Sequence, residues 1–312
     1  MAYFRLFRVV NLLIMALTMI FIKFFLIDPS IGFENVASPL SDLQFIWLVA
    51  TYIVIAAGGY AINDYYDVGM DEINRPGKTV LRNKLSLSFG QNMFFVLTAI
   101  GVLSGFGLAY TLKSTTLYFM PVFVAALFWF YTTKYKREFV SGNLVVAFLA
   151  FLNIGIVYIY YILSFAGMGD FPVNMFPYIT KIVVIYGSFA FYVTFIREIV
   201  KDVVDIKGDK EFDCKNIAIR FGVKDTKTIL LVLSFVLLAV LLVFAYFVWT
   251  LNKDYLFWFI AVVLIPMWIY FITNLSRAKE TEDFKPLALS LKIFMVAGIV
   301  SLQLLAMSNQ WR

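Results

Sequence analysis

The sequence has no histidine and one cysteine, Cys214, in 312 residues. Without histidine there can be no Ser-His-Asp or Cys-His catalytic group and no histidine-based zinc site. A lone cysteine cannot form an internal disulfide, so nothing covalent braces the fold. Charge is also scarce, at 15% of residues, where a soluble domain carries about a quarter. What replaces it is apolar: 62% of the chain is hydrophobic. A water-soluble globule of this length would have too little polar surface to cover itself. That excludes a cytosolic enzyme, a disordered tail and a disulfide scaffold. Any chemistry is left to carboxylates, lysine, arginine, tyrosine or a metal held by oxygen.

The uncharged stretches are long. Residues 85–112, 141–169 and 228–252 contain no charged side chain. Each can cross a hydrocarbon core of about 30 Å as a helix rising about 1.5 Å per residue. Helices satisfy their own backbone groups in lipid, and the alternating ten-residue strands of a membrane barrel are not seen. The pattern predicts an all-α polytopic membrane protein with nine spans, at 9–27, 44–63, 89–111, 117–133, 143–166, 178–200, 228–250, 255–275 and 287–307. All 312 residues are expected to form a single membrane domain. The first span reads as retained, because it lacks a small-residue cleavage site and Lys23 interrupts its apolar run. Lys181 and Lys292 make the sixth and ninth spans the weakest.

Basic residues set the expected orientation. With the N-terminus in the cytoplasm, the inner segments hold Arg5 and Arg8; Arg75, Lys78, Arg82 and Lys84; Lys134, Lys136 and Arg137; the basic residues from Lys201 to Lys227; and Arg277, Lys279 and Lys285. The outer segments hold Lys113, Lys181, Lys253 and Arg312. The +6 net charge therefore follows membrane topology and does not point to nucleic acid. A basic cytoplasmic face suits anionic lipid headgroups and phosphorylated substrates.

One pattern occurs twice. Residues 63–78 read NDYYDVGMDEINRPGK and residues 201–215 read KDVVDIKGDKEFDCK. Both contain D-x-x-D-x-x-x-D, as Asp64, Asp67 and Asp71 and as Asp202, Asp205 and Asp209. The motif segments, expected as loops 63–85 and 201–226, follow the second and sixth spans, so four spans separate them and both emerge on one side. On a helix, this spacing puts three carboxylates on one face. Stacked like charges need neutralising, and hard divalent cations with oxygen ligands do that. Mg²⁺ in particular combines a few carboxylates with phosphate oxygens. Two such faces suggest metal ions gripping a diphosphate. Two helical units of four spans, with a ninth appended, would account for the repeat.

Basic groups lie beside the acids. Arg75 and Lys78 follow the first triplet around a Pro-Gly turn, Lys136 and Arg137 close the fourth span, and Lys201 precedes the second triplet. Phosphate oxygens need such donors. Arg197 falls within the predicted sixth span, where a charge is costly and generally functional. Asn11 and Asn153 are intramembrane polar groups, Asn153 reading as a helix–helix hydrogen bond.

The residues resemble the UbiA superfamily of intramembrane prenyltransferases. Asn63, Asp64, Asp67 and Asp71, followed by Asn74-Arg75-Pro76, are similar to its first motif. Lys201, Asp202, Asp205, Gly208 and Asp209 are similar to its second. Tyr131, Thr132, Lys136 and Arg137, with Gly142 and Asn143, resemble its Y-S-x-x-x-K-R stretch, with threonine in place of serine. Arg8 and Asn11 resemble the start of its first helix. The resemblance implies nine helices around a cytoplasm-facing site, in a bacterial or archaeal inner membrane; the basic residues put the C-terminus outside. It implies that both triplets hold Mg²⁺ on an allylic polyprenyl diphosphate. It further implies that Asn11, Asn63, Arg75, Lys78, Tyr131, Lys136, Arg137 and Lys201 bind substrate, and Arg197 is expected to join them as a charge within the sixth span.

The partners so implied are a polyprenyl diphosphate donor, a lipophilic acceptor and membrane lipid, with no nucleic acid and no obligate protein partner. The overall look is similar to the branch that prenylates geranylgeranylglyceryl phosphate. An aromatic acceptor of the hydroxybenzoate, dihydroxynaphthoate or homogentisate type is the alternative. A cation-coupled transporter is the competing class, although transporters place their sites near the bilayer midplane.

Overall fold

The structure is a computed structural model and describes residues 2–77, 79–168 and 173–308. Among these, nine helices are long and apolar enough to cross a membrane: α1 (Val9–Glu34), α2 (Asp42–Asn74), α3 (Leu87–Thr111), α4 (Thr116–Thr133), α5 (Ser141–Ala166), α6 (Met175–Val204), α7 (Ile217–Thr250), α8 (Asp254–Arg277) and α9 (Thr281–Ser308). No strand occurs among the described residues. All nine expected spans are present, and most of the helices outrun them because a helix need not stop where hydrocarbon does. α2, at 33 residues, is about 50 Å long at 1.5 Å per residue.

This extension corrects the reading of the motif segments. The first triplet is not in a loop: α2 runs unbroken to Asn74, so Asp64, Asp67 and Asp71 share one helix as their spacing requires. The second triplet does not share one. Lys201 and Asp202 lie in the last turn of α6, Asp205 sits at a break with φ −96° and ψ 6°, and Asp209 lies in a short helix, Ile206–Glu211. A tertiary contact competes here with the helical ladder. The Gly208 N–H donates to Asn74 Oδ1 at 2.8 Å, so the backbone that would continue α6 is tied to the end of α2.

Local chemistry explains the other helix ends. Ser41 caps α2 in a reciprocal box with Gln44, and the Ser86 hydroxyl accepts from Phe89 N–H to start α3. α1 passes Lys23 and Pro29 without ending. Pro29 starts a fresh helical segment, where its missing N–H costs little. Lys23 is buried but paired with Asp28 at 2.7 Å and Asp42 at 3.0 Å. Asn216 caps α7, accepting from Ile219 N–H at 3.0 Å. A few residues on, Gly222 interrupts α7 with φ 77° and ψ 169°.

The helices enclose a central space. α2 packs against α3 and α4, α5 lies along α6, α6 also meets α7 and α9, and α1 touches α2, α5 and α9. Lipid tails are as apolar as leucine, so close packing and interhelical hydrogen bonds hold such helices together. Both are visible between α2 and α3. Trp47 Nε1 donates to Ser104 Oγ at 2.7 Å, and Thr51 and Ser104 share a 2.8 Å hydrogen bond. A Cβ on Gly101 would stand 2.4 Å from Ile55 Cγ1 and 3.3 Å from the Thr51 carbonyl oxygen. Large side chains such as Leu103, Val243 and Val262 are exposed on outer faces, as lipid contact allows.

Two substitutions test these contacts. Gly101→Val should destabilise the α2–α3 pair by about 1–3 kcal/mol through overpacking, read as a lower Tm in detergent. A Cβ on Gly208 would lie 2.5 Å from Asn74 Nδ2 and 2.6 Å from the Met70 carbonyl oxygen. Gly208→Ala should therefore force the two motif segments apart and reduce turnover more than it reduces Tm. Unchanged activity would remove the geometric role given to this glycine.

Candidate active site

Both acidic motifs open on one cavity of about 910 Å³. Its mouth carries Asp64, Asp67, Asp71, Asp202, Asp205 and Asp209 together with Asn63, Arg75, Lys136, Arg197 and Lys201. Its interior is mostly apolar and reaches Ile14, Phe128, Leu149, Ile156, Phe189 and Met295. Asn11 and Tyr131 also line it. The sequence-predicted residues are thus brought together with two exceptions. Lys78 lies outside the described residues. Arg137 is exposed and does not line the cavity, contrary to its expected role. It shares the 3₁₀ turn Tyr135–Arg137 with Lys136, and successive side chains in such a turn point about a third of a revolution apart. Lys136 therefore faces the cavity while Arg137 turns out, its carbonyl accepting from Lys215 N–H at 2.9 Å.

Most of the aspartates have a partner of their own. Arg8 donates to Asp64 Oδ1 at 2.8 Å and stacks 5.2 Å from the Tyr60 ring centroid. It is aimed there by a left-handed backbone, φ 48° and ψ 49°, at the entry to α1. Such a conformation is uncommon outside glycine, asparagine and aspartate. Lys136 pairs with Asp67, whose second partner is Asn63 Nδ2 at 2.6 Å. Arg75 reaches across from α2 to Asp205 at 3.0 and 3.1 Å. Asn143 donates to Asp202 at 2.7 Å and Asn216 to Asp209 at 2.8 Å.

The electrostatics follow from burial and pairing. Burial works against the charges of Arg8 and Lys136, but the carboxylates of Asp64 and Asp67 outweigh it and hold both cations above their ordinary ranges. Asp209 goes the other way: burial, then repulsion from Asp205, push its carboxyl up to about 7. Burial also pushes the Cys214 thiol up to about 11, so it stays a neutral thiol, packed against Met70 Sδ at 3.8 Å.

The donor set fits a hard cation. Every candidate ligand is an oxygen, Asp67 Oδ1 is buried without a hydrogen-bond partner, and the Asp209 carboxyl lacks enough positive charge nearby to ionise easily. Among the described residues, no three carboxylates or thiols already converge closely enough to hold a metal. The arginines, Lys136 and the asparagine amides keep the acids apart.

Several lining residues carried little signal in the sequence. Glu198 is buried in α6, with its carboxylate accepting from Arg197 at 3.0 Å and Lys201 at 2.7 Å. Only its position between two cations hinted at it. Lys292 enters from α9 and donates to Asn11 Oδ1 at 2.6 Å. Asn153 makes the expected helix–helix bond, to the Met15 carbonyl at 3.3 Å, and also lines the cavity. The Thr132 hydroxyl is spent within α4, on the Phe128 carbonyl at 3.0 Å.

Comparison with known proteins agrees with this geometry. The model of the UbiA prenyltransferase family matches residues 32–297. A digeranylgeranylglyceryl phosphate synthase of Saccharolobus solfataricus is 30% identical over 262 residues, covering 83% of this chain and 84% of the relative. One from Korarchaeum cryptofilum is 27% identical over 274 residues, covering 88% and 89%. A UbiA homolog from Archaeoglobus fulgidus, solved bound to GPP and Mg²⁺, shares the fold with a TM-score of 0.56 at 16% identity, covering 97% of this chain and 99% of that one. A match across most of the chain, with nine spans around a cavity edged by both aspartate triplets, makes this an integral membrane prenyltransferase that belongs to the UbiA prenyltransferase family.

Proposed function

We propose that the protein transfers a geranylgeranyl group from its diphosphate to geranylgeranylglyceryl phosphate, with Mg²⁺ as cofactor. The observation that carries this reading is the single cavity with six aspartates and several cations at its mouth and an apolar interior. It matches a donor with a charged head and a hydrocarbon tail. The names of the relatives support the acceptor, and the Archaeoglobus fulgidus homolog with GPP and Mg²⁺ supports the donor class and the metal. In this reading all 312 residues act as one membrane domain. By the same reading the mouth faces the cytoplasm beside the N-terminus and the C-terminus lies outside, which the distribution of basic residues supports.

Asp64, Asp67, Asp71, Asp202, Asp205 and Asp209 would hold the metal, Asp67 through its unpartnered Oδ1. When bound, Mg²⁺ supplies positive charge to the diphosphate oxygens and so stabilises the leaving group. The chain's own residues do the rest. Arg75, Lys136 and Lys201 give N–H donors to phosphate oxygens, exchanging their present carboxylate partners for the substrate. The interior excludes water from the allylic carbon and aligns the tail, and Tyr131 offers a ring face near the mouth. The allylic C–O bond breaks with its electron pair leaving on diphosphate. The acceptor hydroxyl oxygen bonds to the allylic carbon, and its proton passes to the released diphosphate.

Asp64→Ala and Asp209→Ala should each lower turnover by roughly 10²–10³-fold or more, the scale of losing an electrostatic stabiliser, while the protein still inserts and unfolds cooperatively. Near-normal turnover in either would remove the metal assignment. EDTA should stop product formation and added Mg²⁺ should restore it. With radiolabelled geranylgeranyl diphosphate and a panel of acceptors, the glyceryl phosphate lipid should give the labelled ether product. Label appearing only in an aromatic acceptor would overturn the acceptor assignment.

A further inference from the structure

The cavity has a second charged region that the aspartates do not answer. Lys292 reaches it from α9, and among the described residues no carboxylate pairs with it; its ammonium is held by Asn11 Oδ1 at 2.6 Å. It feels the like charges of Arg197 and Arg8. Arg197, on α6, gives one nitrogen to Glu198 at 3.0 Å, while its Nε is buried without a hydrogen-bond partner. Glu198 also serves Lys201, and Arg8 is matched by Asp64. With Lys201 given to the donor, Arg197, Lys292 and Glu198 keep one formal positive charge in excess, and the Arg197 Nε and Lys292 ammonium have N–H donors that no carboxylate takes. Cations gathered at a cavity with fewer carboxylates than charges are costly, and such sites are generally built for an anionic ligand.

We propose that Arg197 and Lys292, with Asn11 as a positioning residue, bind the phosphate of the acceptor lipid at a place separate from the donor diphosphate. A phosphate monoester carries close to two negative charges near neutral pH and several acceptor oxygens, enough to cancel the excess and take N–H donors from both cations. A neutral headgroup would leave the excess uncancelled. Thr194, Met295 and Gly298 line the cavity beside these cations. Thr194 donates to Met295 Sδ at 3.4 Å, so α6 and α9 form one wall along which the acceptor's hydrocarbon can lie. This inference rests on the acceptor reading given above and adds where its headgroup is held and which cations answer its charge.

The test uses the full-length protein in nanodiscs with two probes, geranylgeranylglyceryl phosphate and neutral geranylgeranylglycerol, measuring direct binding and KM. The wild type should bind the phosphate lipid at least about tenfold more tightly than the alcohol, the scale of charge-assisted hydrogen bonds. Lys292→Gln and Arg197→Gln should erase most of that preference and raise the acceptor KM, while affinity for geranylgeranyl diphosphate stays the same and reports correct folding. Lys292→Arg should retain the preference. If Lys292→Gln does not fold, Asn11→Ala replaces it and should weaken the preference by the same route. A wild type with no preference, a variant that keeps it in full, or a parallel loss of donor affinity would overturn the proposal. Lys292-dependent binding of the phosphate lipid without turnover would uphold the site and refute the acceptor reading. Turnover of that lipid with a preference indifferent to Lys292 and Arg197 would do the reverse.

Discussion

Charges placed where water is scarce must be answered by other charges, and the arrangement of this protein depends on how it meets that demand. A carboxylate left alone in a membrane helix is expensive. Removing one partner of a buried pair costs more than the pair contributes, because the other charge remains. Arg8 with Asp64 and Lys136 with Asp67 are mutual solutions to this problem, and Arg75 with Asp205 forms a like pair closer to water. Each pair also joins two parts of the chain that are distant in sequence. The cavity mouth is held together by the same groups that would hold a substrate. A diphosphate with its metal would exchange one set of ionic partners for another, without creating a charged pocket from an apolar one.

Geometry at the mouth is set by small groups as much as by ions. Gly208 lets the second motif lie against the Met70 carbonyl and the Asn74 amide, so the end of α2 and the turn after α6 are in direct contact. That contact also makes the two triplets unlike each other. The first is a straight helical row, and the second is bent at Asp205. Identical spacing in sequence therefore yields two differently shaped halves of one site.

The sequence already displayed the nine spans and the two triplets, because long uncharged runs and repeated carboxylates are properties of single segments. What it hid depends on contacts between segments. The expected first span ends at residue 27, yet α1 continues to Glu34, with Lys23 satisfied by Asp28 and Asp42. Glu198 belongs to no repeat and is buried only because two cations flank it. Lys292 looked like a flaw in the ninth span, and its meaning comes from Asn11 and Arg197 on other helices. Arg137 carried the expected motif, but the 3₁₀ turn directs it outward. Asn143 belongs to a family-like stretch and Asn216 to none, and only the fold brings them to Asp202 and Asp209.

Asn216 serves two structures with one amide: its carbonyl starts α7 and its amino group holds Asp209. The break at Gly222 comes just after this cap and before the lipid-facing length of the helix. α7 thus gives its first turn to the mouth and the remainder to the bilayer. A φ of 77° is open to glycine at little cost, so the cap and the shaft are joined by a bend and not by one continuous helical ladder. The direction of the lipid-facing length is thereby set apart from that of the turn whose cap holds the carboxylate.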